Sequence, residues 1–157
     1  MKWLWVSVVV LLLDQCTKLL ADALLVLHQQ VVLVPGLALF KAYNPGAAFS
    51  FLSDASGWQR WFFVVLAFII IGVLLVWLRR LSAEEKATSL ALALILGGAA
   101  GNLIDRLVYG HVIDFIDVYY GSWHWPAFNV ADSAISVGAV LLLLDAFRGA
   151  GKPSAAS

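Results

Sequence analysis

The sequence predicts a mainly α membrane protein: four transmembrane helices carrying a small β-sheet subdomain on the outer (periplasmic) face. Three observations predict it. Of 157 residues, 62% are hydrophobic and only 13% charged, against roughly 45–50% and 25% in an ordinary globular chain. The apolar residues fall into four runs close to the ~20 that a helix needs to cross ~30 Å of hydrocarbon. Between the first two runs lies a segment, residues 28–57, with strand and turn character. We read residues 1–157 as one integral-membrane domain.

Charge and cysteine content exclude several classes. Ten Lys and Arg balance ten Asp and Glu, so there is no basic face for nucleic acid and no acidic interaction arm. The single cysteine, Cys16, rules out an internal disulfide or a cysteine-pair metal site within one chain, and is read as a packing residue.

The first span covers about residues 3–22. Lys2 ahead of the apolar run resembles a signal peptide, but no A-x-A-like site follows, so the segment is expected to stay. The outer segment 28–57 comes next: Val31–Val34 and Leu37–Phe40 flank Pro35-Gly36 as strand, turn and strand, and Asn44-Pro45-Gly46 makes a second turn. Spans two, three and four cover about 61–78, 87–107 and 130–147. Lys2, Arg79, Arg80, Lys86, Arg148 and Lys152 all fall on one side, so both termini are expected in the cytoplasm, with segments 28–57 and 108–129 outside. Trp3, Trp5 and Trp77 mark one interface; Trp58, Tyr119, Tyr120, Trp123 and Trp125 mark the other.

Ionisable groups in hydrocarbon cost at least ~2.5–3.5 kcal/mol each, which makes those inside spans functional candidates. Asp14 and Lys18 lie roughly 17 and 23 Å into span one; Asn102, Asp105 and Arg106 lie roughly 23–29 Å into span three. Both groups occupy the outer half. Asp14 and Lys18 share a helix face, as do Asn102 and Arg106, and Arg106 is expected to be the counter-charge of Asp14 or Asp105. The plain alternative is that these groups only pair to hold helices together. The small residues from Gly97 to Gly101 allow span three to pack closely on a neighbour.

The second outer segment supplies Asp114 and Asp117, and the chain re-enters through Asn129 and Asp132. A short return can bring Asp114 and Asp132 together at the membrane edge. Close carboxyls split their roles, because the charge of one raises the pKa of the other. With Asn129 as N-cap, Asp132 lies in the first turn of its helix and is the expected ionised member. The alternative is that Asp132 is only a capping-box acid. No HExxH spacing, GxSxG elbow or convincing Ser–Lys pair is present.

Five blocks occur in order: Asp14-Gln15-Cys16-Thr17-Lys18, Asn44-Pro45-Gly46-Ala47-Ala48-Phe49, Gly101-Asn102-Leu103-Ile104-Asp105-Arg106, Val112-Ile113-Asp114-Phe115 and Phe128-Asn129-Val130-Ala131-Asp132. Together they resemble the bacterial lipoprotein signal peptidase family, or signal peptidase II, over about residues 3–147. The resemblance implies an inner-membrane aspartic endopeptidase that cuts prolipoproteins just before a diacylglyceryl-modified cysteine. Its catalytic pair falls on Asp114 and Asp132, and its supporting residues on Asp14, Lys18, Asn44, Asn102, Arg106 and Asn129. It implies no metal and no organic cofactor. The expected partners are the lipid-modified substrates and membrane lipids, with the chain a monomer. The alternative from another class is a small proton-coupled transporter. Against it, the acids gather at the outer edge rather than the midplane, and no internal repeat is visible.

Overall fold

Among the described residues, four helices and four strands follow in the order α1 (Leu4–Leu24), β1 (Gln30–Val34), β2 (Leu37–Asn44), α2 (Trp58–Arg80), α3 (Lys86–Val108), β3 (Val112–Tyr120), β4 (Trp123–His124) and α4 (Val130–Ala150). The structure, a computed structural model, describes residues 2–46 and 57–150. The Ala47-Ala48-Phe49 part of the second block, with the rest of residues 47–56, lies outside the described residues.

All four helices are long and apolar enough to cross a membrane, where a helix satisfies every backbone group within its own segment. Their roles differ. α3 packs against each of the other three helices and its hydropathy is only 1.7, whereas α2 reaches 3.0 and buries little of its length. The physical reason is the neighbour: α3 faces protein, while Phe62, Val65, Ile69 and Val73 of α2 face outward, where lipid supplies the apolar surroundings. Cys16 is also exposed, which corrects its reading as a packing residue.

Small residues let α3 sit at the centre. A Cβ on Gly97 would come within 2.7 Å of the Ser7 carbonyl oxygen of α1, and one on Gly98 would run into the Ala131 carbonyl of α4. Without a hydrophobic drive between helices in lipid, such close backbone approach is a main source of association. Gly98→Ala should therefore lower the unfolding free energy by ~1–3 kcal/mol, seen as a lower thermal midpoint in detergent. An unchanged midpoint would mean that α3 and α4 are not held this close.

The sheet is antiparallel, in the order β1-β2-β3-β4. The expected strand–turn–strand is present, with Gly36 taking φ +89° in the turn. The second outer segment completes it: β3 pairs with β2, setting Ala42 opposite Asp114. The sequence alone predicts no strand in that segment. A bulge between Leu39 and Ala42 bends β2 there. Of the ties that join the sheet to the bundle, two matter most for the site. Lys41 Nζ donates to the Asp22 carbonyl at the end of α1 (2.8 Å). On the other side, the N–H groups of Phe115 and Ile116 both reach the Phe128 carbonyl (3.0 and 2.8 Å). The second tie sets the start of α4 beside Asp114.

Candidate active site

The innermost layer of the site is a buried charge cluster between α1 and α3. Lys18 Nζ lies 2.8 Å from Asp14 Oδ2 and 2.8 Å from Asp105 Oδ2, and donates to Asn102 Oδ1 at 2.9 Å. Asp14 is 0% exposed and Lys18 1%. One ammonium between two carboxylates leaves a negative excess, which backbone donors help to offset. The Ala131 N–H, in the first turn of α4, donates to Asp14 Oδ1 (2.9 Å), and the Ile113 N–H points at Asp105 Oδ2 (3.4 Å). Gln15 Nε2 completes the shell of Asp105 (2.8 Å). A carboxylate at a helix N-terminus also meets the positive end of the helix dipole.

That cluster corrects one expectation. Lys18, not Arg106, is the direct counter-charge of Asp14 and Asp105. Arg106 instead donates through Nη1 to the Asn102 carbonyl (3.3 Å), stacks over Phe63 at 5.0 Å and lies within electrostatic reach of Asp132, Asp114 and Asp105. Its Nε is buried with no hydrogen-bond partner among the described residues. Asp105 and Gln15 were not among the expected supporting residues. An ionisable side chain three positions from Asn102 in a membrane span was the available signal for Asp105.

Two asparagines carry this order outward to the acids. Lys18 holds the Asn102 oxygen, which turns Asn102 Nδ2 toward Asp132 Oδ1 (2.8 Å). Asn129 touches both acids: its Nδ2 donates to Asp114 Oδ1 (2.7 Å) and its Oδ1 accepts from the Asp132 N–H (2.9 Å). The return bond, from the Asn129 N–H to Asp132 Oδ2 at 3.3 Å, makes the reciprocal capping box. The box is therefore real, yet it occupies one oxygen of Asp132 while Asn102 reaches the other, so capping does not account for the whole side chain. Asn44, at the end of β2, donates to Asp114 Oδ2 (3.1 Å).

Asp114 is 3% exposed. Burial, and then the charge of Asp132, push its carboxyl up to about 7, partly opposed by the Asn44 and Asn129 hydrogen bonds. The structure thus brings together Asp114, Asp132, Asn44, Asn102, Arg106 and Asn129, with Asp14 and Lys18 beneath them. Asp117 is not among them. Alternate residues of a strand point to opposite faces, so Asp114, Ile116 and Val118 share one face and Asp117 turns to the other. There it meets Gln30 Nε2 (3.0 Å) and His124 Nδ1 (3.0 Å).

A family model described as signal peptidase (SPase) II matches residues 6–148. The chain belongs to the signal peptidase II family. The lipoprotein signal peptidase of Pseudomonas aeruginosa is 55% identical over 150 residues, 94% of this chain and 89% of that protein. The Aeromonas hydrophila lipoprotein signal peptidase is 52% identical over 149 residues, covering 94% and 89%. Two solved structures, each described as a bacterial membrane enzyme determined by the in meso method, share the fold. One superposes with a TM-score of 0.87 at 27% identity over 99% of this chain and 93% of that one. The other gives 0.81 at 29% identity, over 92% and 91%. The signal peptidase II assignment makes this chain a peptidase built on four membrane helices and a four-stranded sheet.

Proposed function

We propose that this signal peptidase II is an aspartic endopeptidase of the bacterial inner membrane. It removes the signal peptide of prolipoproteins by cutting just before the diacylglyceryl-modified cysteine, with Asp114 and Asp132 as its catalytic pair. The observation that carries the reading is the Asn129 side chain, bonded to the Asp114 carboxyl and to the Asp132 backbone at once. It ties the two acids to one rigid part although they come from different elements.

The chemistry follows from which acid holds the proton. Asp114, with its carboxyl raised to about 7, is the acid that holds it up to near-neutral pH. Its two oxygens accept from Asn129 and Asn44, which fixes the plane of the group. Asp132 acts as the base: it takes a proton from a water held between the acids as the water oxygen attacks the scissile carbonyl. Asp114 donates its proton to the carbonyl oxygen, giving a neutral tetrahedral diol. Collapse of the diol returns a proton to Asp114 and passes the other from Asp132 to the leaving amine, so both acids end as they began. Arg106 faces the negative charge of the pair and steadies it. The same reading puts the acids and the sheet at the outer surface and both termini in the cytoplasm. The basic residues Arg79, Arg80 and Lys86 at the other end of the bundle support it.

The test is cleavage of a purified prolipoprotein, with and without its diacylglyceryl group, by the full chain in detergent across a pH series. We expect only the lipid-modified form to be cut. The folded state binds the Asp114 proton between about pH 4, the ordinary carboxyl value, and about 7. The active form is therefore lost as pH rises, and kcat/KM should fall above pH ~7 toward tenfold per unit. The stability contributed by that proton is lost earlier, as pH rises from about 4 to about 7, and levels off above it. A rate that stays flat to pH 9 would remove Asp114 as the proton carrier, and equal cleavage of both substrates would remove the lipid requirement.

A further inference from the structure

The end of the bundle away from the sheet holds a cavity that peptide hydrolysis does not use. It measures about 610 Å³ and opens between the start of α1, the end of α2 and the start of α3, with Lys2, Trp3, Trp5, Ser82, Lys86 and Ser89 in its lining. Two ammonium groups from distant parts of the sequence thus share one hollow. Glu84 and Glu85 do not line it, and the Glu85 carboxylate accepts the Ser82 N–H at 2.8 Å. Asp145 is bonded to Thr88. The tryptophans mark the depth, since indoles concentrate where headgroups meet hydrocarbon.

We propose that this cavity binds the phosphodiester headgroup of an anionic phospholipid, with the phosphate between Lys2 and Lys86. Three features select this occupant. The lining carries positive charge and no acid, which suits phosphate. Trp3 and Trp5 supply an apolar wall, which suits a glycerolipid better than free phosphate. The helix ends place the cavity at headgroup level, and basic pockets between membrane helices are established sites for acidic headgroups. The proposal rests on the four-span architecture and not on the peptidase mechanism, so either can fail without the other.

The experiment uses the full chain in neutral detergent, titrated separately with phosphatidylglycerol, phosphatidylcholine of the same chains and inorganic phosphate. Bound lipid is read by native mass spectrometry and stabilisation by the thermal midpoint. Phosphatidylglycerol should be retained and raise the midpoint, and the other two should not. Each lysine near the surface is worth about a fivefold change in affinity, so Lys2→Gln with Lys86→Gln should weaken retention by roughly 25-fold. The Lys2→Arg/Lys86→Arg pair should restore it, and cleavage in neutral detergent should be unchanged. Equal retention of phosphatidylcholine would overturn the proposal in favour of ordinary boundary lipid. An equal midpoint shift from inorganic phosphate would overturn the lipid source. If Arg79→Gln with Arg80→Gln cost as much as the lysine pair, diffuse charge at this end, and not the cavity, would be responsible.

Discussion

Asp114→Asn and Asp132→Asn should each lower the cleavage rate by ~10²–10⁴-fold, the range that positioned acid–base groups supply. The double variant should be little worse than either single one, because the acids act as a unit. The two variants differ in structural cost. Asp132 uses one oxygen for Asn102 and the other for the Asn129 N–H. An asparagine keeps one of these bonds and the helix cap survives through the Asn129 oxygen. Asp114 accepts amide N–H groups on both oxygens. At either position the asparagine NH₂ must face one of those donors, but Asp114 is buried and Asp132 only half-buried, so the unpaired donor costs more at Asp114, ~1–3 kcal/mol. Rates of both variants should therefore be measured beside melting curves in the same detergent. A folded variant that keeps near wild-type turnover at either position would exclude the pair.

The largest effect on stability is expected at Lys18. Lys18→Met leaves Asp14 and Asp105 as neighbouring buried carboxylates without their shared cation, and breaking a buried pair in this way costs ~3–5 kcal/mol. The loss should be partly reversed in the triple variant with Asp14→Asn and Asp105→Asn, since neutralising the acids removes the stranded charge. Activity should not return with it. Without Lys18, the Asn102 oxygen loses its short, charged donor and keeps only the long contact from Asn129 Nδ2 (3.4 Å), so the amide is less firmly held with its N–H toward Asp132. Stability equal to wild type in Lys18→Met would show that the cluster contributes nothing to the fold. Recovery of full activity in the triple variant would separate the cluster from the acids.

Much of this architecture was legible in the residues. The observed helices contain the four expected spans to within a few residues at each end, because only helices of about that length satisfy their backbone in hydrocarbon. The Pro35-Gly36 turn was legible because few residues adopt the φ that Gly36 takes. β3 was not, since its partner β2 is far away in sequence and its apolar residues do not alternate cleanly with polar ones. Missing β3 had a consequence for the site. By sequence, Asp114 and Asp117 are two acids of one outer segment, whereas a strand places residues three apart on opposite faces.

By itself, the sequence determined the solvent of this protein, the number of its spans and the common depth of its polar groups. All of these follow from apolar run length and from the cost of charge in hydrocarbon, quantities that are local along the chain. Only the tertiary structure decided the pairings. It chose Lys18 over Arg106 as partner of Asp14 and Asp105, turned Asp117 away to Gln30 and His124, and set Asn129 between Asp114 and α4. Those choices depend on how closely α3 approaches α1 and α4, and on the register of β2 against β3. Hydrogen-bond geometry changes over tenths of an ångström, a scale that neither spacing nor composition encodes.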